Sequence, residues 1–213
     1  MTAVIESCRL CGAPAHFYDN ARGRTFLQCT VCHCLQVVSS QLPDAAREKA
    51  LYLTHENDVN DPRYQAFVSP VTNAILAAQT MDQNGLDFGA GPGPAITHLL
   101  QQQGYNITLF DPFFHNNISA LERQYDFIFS CEVIEHFHQP AVEFSRLRSL
   151  LKAGGNLYCM TEFFSESLDF QRWYYKNDPT HVFFYHADSL PLIQEKFGFK
   201  TVRRDGRLAV FSI

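Results

Sequence analysis

Four cysteines carry the first piece of chemistry in this chain. Cys8-x-x-Cys11 and Cys29-x-x-Cys32 are two paired-thiolate turns, and Gly12 permits the bend after the first pair. Each pair can grip a metal ion from a tight knuckle, and four thiolates suit tetrahedral Zn2+. A closed four-sulfur shell has no open position, so such an ion would be structural. His33 and Cys34 stand beside the set and read as bystanders; Cys131 and Cys159 fall on core strands as small buried hydrophobes. The second constellation is Leu86-Asp87-Phe88-Gly89-Ala90-Gly91-Pro92-Gly93, between a strand and a helix. Its glycines allow a tight turn and a close approach of backbone to ligand. Asp111 ends the next strand, where a carboxylate can accept hydrogen bonds from a ribose diol. Read singly, Asp87 and Asp111 would be ordinary strand-end caps; with the glycines they form a binding set. Pro92 and Pro94 remove two backbone donors, which disfavours a diphosphate and favours a nucleoside without phosphates. A third stretch, Trp173 to Tyr185, is rich in aromatics and holds an imidazole, His181, able to titrate near neutrality.

Positioning these groups requires regular elements. Short β-prone pieces, Ala15 to Tyr18 and Arg24 to Gln28, flank a hairpin turn at Asn20-Ala-Arg-Gly, so residues 1–40 read as a zinc ribbon. Arg22 and Arg24 fall at its tip, as a solvated turn. Residues 41–80 read as a helical linker or lid. One helix starts at Leu42-Pro43-Asp44 and runs toward His55; another opens at Asp61-Pro62, with Pro70 expected to kink it. Residues 81–213 alternate strands (from Leu86, Asn106, Tyr125, Asn156) with helices (Pro94–Gln103, Pro140–Leu151, Asp188–Phe197). Lys152-Ala-Gly-Gly stops the second of those helices, and two β segments, Phe199–Arg203 and Leu208–Ser212, close the chain. The expectation is an α/β, doubly wound, mostly parallel sheet covered on both faces.

Asp87-x-Gly89-x-Gly91-x-Gly93, Asp111, the run Tyr125-Asp126-Phe-Ile-Phe-Ser-Cys131-Glu132-Val-Ile-Glu135-His136, and Leu150-Leu-Lys-Ala-Gly-Gly together resemble class I S-adenosylmethionine-dependent methyltransferases. The resemblance covers about residues 60–213. It implies a Rossmann-like sheet with an antiparallel last strand and S-adenosylmethionine as cofactor. Gly89, Ala90, Gly91 and Gly93 would face its amino-acid part, with Asp87 organising the turn. Asp111 would hold the ribose, and Cys131 and Glu132 would line the site. The span from Pro112 to Gln124 is too short for the helix and third strand usual in the family. That strand is expected to be lost or vestigial, leaving the Asn106 strand at an edge that a homodimer, or Phe113 and Phe114, would cover. Phe113, Phe114, Asn116 and Asn117 are candidates for the adenine contact.

On the acceptor side, Asp178-Pro-Thr-His181-Val ahead of Ser189-Leu190 resembles bacterial methyltransferases of this class. His181-x-x-x-Tyr185 loosely resembles a histidine motif of zinc-bearing deoxysugar C-methyltransferases, which also begin with four cysteines but are longer. His181, Tyr185 and His136 are therefore the catalytic candidates. His181 is either an acceptor-site base or positioner, or a loop cap; His136 either acts directly or fixes its loop. Trp173, Tyr174, Tyr175 and Phe183 would wall the site, and Tyr52, His55 and Tyr64 would form a lid over the cofactor.

The resemblance implies methyl transfer to a small-molecule acceptor, a sugar or other metabolite. Two rivals are an RNA methyltransferase gripping substrate through the ribbon, and a cofactor-binding module without turnover. A net charge of −5 and the absence of a basic stripe argue against nucleic acid. The intact glycine turn argues against the inert module. The chain has 213 residues, 46% of them hydrophobic, enough for a sizeable core. With no apolar run long enough to span a membrane, no export signal at Met1 and an odd count of 7 cysteines, a cytoplasmic enzyme is expected.

Overall fold

The structure, a computed structural model, describes residues 4–54 and 57–213. Two sheets organise it. The first takes four N-terminal strands, β1 (Ile5–Ser7), β2 (Pro14–Ala21), β3 (Arg24–Cys29) and β4 (Leu35–Val37), in antiparallel order. Its fifth strand comes from far along the chain: β9 (Phe183–Phe184) pairs antiparallel with β4, Leu35 opposite Phe184. The sheet thus reaches directly into the stretch that carries His181.

Two helices follow. Asp44 caps α1 (Ala45–Tyr52) by accepting from the Arg47 amide, and Asp61 caps α2 (Pro62–Ala78) by accepting from the Arg63 amide. Pro62 fills the first turn, where the missing N–H costs nothing, and α2 runs on through Pro70 to Ala78.

The second sheet has six strands. Its parallel part is β6 (Asn106–Phe110), β5 (Asn84–Phe88), β7 (Tyr125–Cys131) and β8 (Leu151–Met160). β11 (Leu208–Ser212) pairs antiparallel with β8, and β10 (Thr201–Asp205) with β11, giving the order β10-β11-β8-β7-β5-β6. Side chains alternate between the faces. Phe127, Phe129, Tyr158 and Met160 pack under α2 and α3 (Ala95–Gln102). Ile128, Leu157 and Cys159 pack under α4 (Pro140–Ser149) and α5 (Ser189–Phe197), a cluster that includes Cys8, Cys29 and Cys32. This is a doubly wound Rossmann-like α/β fold.

Between Asp111 and Tyr125 there is only a short 3-10 turn, Ile118–Glu122, so the third strand is lost and β6 lies at the sheet edge. One boundary differs from the sequence reading. β8 begins at Leu151, and the Lys152–Gly155 stretch forms a register irregularity inside the strand, beyond the end of α4. A Cβ on Gly155 would stand 3.0 Å from the Asp126 carbonyl, so glycine here serves a close backbone approach rather than ending the helix. No helix among the described residues is long and apolar enough to cross a membrane.

Candidate functional site

The carboxyl ends of β5, β6 and β7 open into a cavity of about 610 Å³. Gly89 (φ 86°) and Gly91 (φ 61°) turn the chain out of β5 in the left-handed region. A Cβ on Gly89 would fall 2.5 Å from the Val133 side chain, and one on Gly93 1.9 Å from the Asn57 carbonyl oxygen. Gly93 therefore serves close packing against Asn57, which lines the cavity with Gly89, Ala90 and Gly91, while Gly93 itself does not.

Asp111, also on the wall, ties this turn to the loop after β6. Its Oδ2 accepts from the Gly91 amide at 3.0 Å, and its Oδ1 accepts from the Phe113 and Phe114 amides at 2.8 and 3.0 Å. Phe113 and Phe114 face the cavity; Asn116 and Asn117 are exposed and do not line it. Asp87 sits behind the turn, accepting from Thr97 Oγ1 at 2.6 Å, and burial pushes its carboxyl up to about 7. It holds α3 against the turn from outside the cavity.

Cys131 and Glu132 line the wall after β7. Burial raises the Cys131 thiol and keeps it protonated. Glu132 has a left-handed backbone (φ 53°); its carboxylate accepts from Arg207 at 2.7 Å and from the Tyr175 hydroxyl at 3.1 Å.

Across the cavity stand His136 and His181, their ring centroids 4.7 Å apart. His181 Nδ1 lies 2.8 Å from the Tyr175 carbonyl, so Nδ1 carries a proton and donates it to that oxygen. Nε2 lies 3.9 Å from both Glu135 Oε1 and Asp178 Oδ2. His136 Nδ1 sits 3.0 Å from the Thr180 carbonyl and 3.1 Å from the Tyr52 hydroxyl. Burial, then the neighbouring His181, lowers His136 to about 3, so it is neutral at physiological pH. Beneath both rings lies Glu135, fully buried, accepting from Thr161 Oγ1 at 3.0 Å and from the Tyr175 hydroxyl. Burial, then the charge of Glu132, raises its carboxyl to about 8.

Tyr185 does not join them. It is fully buried, its hydroxyl donates to the Ile134 carbonyl at 3.1 Å, and it lies outside the cavity. Full burial in the main core cluster makes it a core residue, in contrast to the catalytic role expected from sequence. Trp173, Tyr175 and Phe183 likewise pack behind the site. Tyr52 and Tyr64 do line the cavity; His55 lies outside the described residues.

Three groups had been overlooked. Glu135 stands in the sequence only as part of the Tyr125–His136 run, with no role of its own, yet it underlies both imidazoles. Glu48 and His138, 3.1 Å apart, form a polar pair on the cavity rim. Arg24, expected to be a solvated ribbon-tip residue, is 9% exposed, and its guanidinium donates to the carbonyls of Lys176, Asp178, Pro179 and His181. Arg9 donates to Val37 and Val182 at 2.7 and 2.6 Å. Two arginines of the N-terminal sheet thus bind the backbone that carries His181.

The cysteine pairs meet. Sγ atoms lie 3.6 Å apart for Cys8 and Cys32, 3.3 Å for Cys11 and Cys29, and 3.8 Å for Cys11 and Cys32. Tetrahedral Zn2+ with Zn–S bonds near 2.3 Å requires sulfurs about 3.8 Å apart, so the four thiols fit the ion with small adjustments.

Residues 61–204, more than half of the chain, match a family described as a methyltransferase domain. Among solved structures, the chain is similar to an O-methyltransferase family protein from Burkholderia thailandensis, with 12% identity, 82% of this chain and 64% of that one covered, and a TM-score of 0.55. It therefore spans less than two thirds of that neighbour. It is also similar to 1,6-didemethyltoxoflavin-N1-methyltransferase of the same organism, solved with 1,6-didemethyltoxoflavin and S-adenosylhomocysteine: 16% identity, 93% and 97% coverage, TM-score 0.56. These likenesses show the fold. No curated protein matches the sequence.

Proposed function

Starting from the fact that the chain belongs to this methyltransferase family, we propose that it transfers a methyl group from S-adenosylmethionine to a small-molecule acceptor. The observation that carries the proposal is convergence. The glycine turn with Asp111, and the pair His136–His181, face one cavity of about 610 Å³, within the range of small-ligand sites.

When bound, the cofactor supplies an electrophilic methyl on a sulfonium. In this reading Gly89, Ala90 and Gly91 offer backbone to its amino-acid part. Asp111, already fixed by three amides, has oxygen lone pairs left for the ribose hydroxyls, and Phe113 and Phe114 offer aromatic faces to the base. His181 Nε2 takes the acceptor proton, with the ring held by its Nδ1 bond to Tyr175. His136, neutral, offers a polar contact without charge. The Tyr52, Tyr64 and Phe side chains of the cavity wall exclude water on their side. Residues 1–40 hold structural zinc through Cys8, Cys11, Cys29 and Cys32, residues 41–80 cover the cavity, and residues 81–213 form the cofactor-binding part. The acceptor is a sugar or another metabolite of similar size.

Calorimetry with S-adenosylhomocysteine tests the cofactor assignment. The wild type should bind, and Asp111→Ala should weaken binding by ~1.5–3 kcal/mol, the scale of a charge-assisted hydrogen bond. No binding by the wild type, or equal affinity in the variant, would overturn it.

A further inference from the structure

The two cysteine knuckles are built alike. The Cys8 amide donates to the Ala13 carbonyl, and the Cys29 amide to the Cys34 carbonyl, in the same register. The residue after each second cysteine is left-handed: Gly12 with φ 86°, His33 with φ 57°. That conformation suits glycine and strains a residue with a Cβ. The second knuckle therefore carries a histidine at the position where its backbone favours glycine. Strain kept at one residue points to work done by its side chain.

The His33 side chain meets two others from the turn between β9 and α5. His33 Nδ1 is 2.9 Å from Asp188 Oδ2, and His186 Nδ1 is 3.4 Å from the same oxygen. The three ligand atoms lie within 4.8 Å of one another. Ligands about 2.0–2.1 Å from a tetrahedral Zn2+ stand about 3.3 Å apart, so these separations bracket the requirement. The tautomer of His186 agrees. His186 Nδ1 accepts from the Asp188 amide at 3.1 Å, which marks Nδ1 as the lone-pair nitrogen. His186 Nε2–H then donates to Glu166 Oε2 at 3.1 Å, and Gln28 Nε2 donates to Glu166 Oε1 at 3.0 Å. A carboxylate on the outer nitrogen is the partner that orients a metal-bound imidazole and raises its basicity. Two imidazoles and two carboxylates also bring the charge that one divalent ion neutralises.

We propose that His33, His186 and Asp188 form a second transition-metal site, taking Zn2+ or a similar divalent ion with water in its fourth position. On binding, the ion takes the His186 Nδ1 lone pair from the Asp188 amide, and the amide, at an exposed residue, turns to solvent. The site ties the second cysteine knuckle to the turn that enters α5. It is distinct from the four-sulfur set, whose ligands it does not share.

Cobalt(II) titration of the metal-free full-length protein, with elemental analysis of the zinc-loaded form, tests this. The wild type should hold two equivalents per chain. One should show thiolate-to-cobalt charge transfer, and the other weaker visible bands without it. His186→Ala and Asp188→Asn should each lose only the second equivalent and keep the thiolate signal. Unchanged S-adenosylhomocysteine affinity in the His186 and Asp188 variants would report an intact fold. A wild type with the thiolate signature alone, or a second equivalent that survives His186→Ala, overturns the proposal. Absence of the thiolate signature alone would instead count against the four-cysteine assignment.

Discussion

The two walls of the cavity are made in different ways. The wall proposed for the cofactor is local: the turn after β5 and the loop after β6 join through Gly91–Asp111 and the Phe113 and Phe114 amides, at the ends of adjacent parallel strands. The wall proposed for the acceptor is assembled from distant chain. His181 sits on a long connection between β8 and α5, and its backbone is held by Arg24 and Arg9 of the N-terminal sheet, by β9 pairing with β4, and by the Val182 amide donating to the Glu135 carbonyl at 2.9 Å. A site whose halves have separate supports should fail in halves.

Removing a zinc ligand should have the largest effect. Metal binding and local folding are coupled, and apparent energies of structural zinc sites reach about 10–16 kcal/mol. Cys29→Ser should lose the thiolate-bound metal and collapse methyl transfer while most S-adenosylhomocysteine affinity survives. Elemental analysis, turnover and calorimetry on one preparation give the answer; equal loss of both functions would mean the walls are not separately supported.

His181→Ala comes next. Loss of a general base should lower turnover by about 10²–10⁴ with little change in cofactor affinity. Parallel loss of stability and cofactor binding would make His181 a loop cap.

Arg24→Ala should destabilise the chain by about 2–4 kcal/mol, since it removes buried, charge-assisted bonds to four carbonyls. Arg24→Lys should not restore it, because an ammonium cannot reproduce the guanidinium fork. Denaturant midpoints for the three proteins decide; rescue by lysine would reduce Arg24 to a point charge.

The smallest effects concern pH. His136 is lowered to about 3. Below its ordinary value near 6.5 the unfolded chain takes up a proton that the native ring refuses, so stability is lost as pH falls from about 6.5 toward 3. Glu135, raised to about 8, runs the other way: the native carboxyl keeps a proton that the unfolded chain has released, so stability falls as pH rises from about 4.5 to 8. Unfolding free energies across that range should show His136→Asn flattening the acid limb and Glu135→Gln the neutral limb. Profiles parallel to the wild type would refute both shifts.

Sequence alone determined the sheet and the turn after β5 that faces the cavity. Glycines that need left-handed turns, acids at strand ends, caps at Asp44 and Asp61, and cysteine pairs at knuckle spacing are short-range signals, and each is written within a few residues. The missing third strand was legible from the shortness of Pro112–Gln124 alone. Only the tertiary structure decided the acceptor wall. β9 is two residues long and is a strand only because β4 lies beside it. Arg24 reads as a surface charge until its guanidinium is seen among the carbonyls of Lys176 to His181, and Tyr185 reads as catalytic until its hydroxyl is seen on Ile134. These roles depend on contacts between residues far apart in the chain, 51 positions for Tyr185 with Ile134 and 157 for Arg24 with His181. Local propensity and spacing carry no record of such pairings; they arise when packing selects which backbone groups are buried together and must find partners.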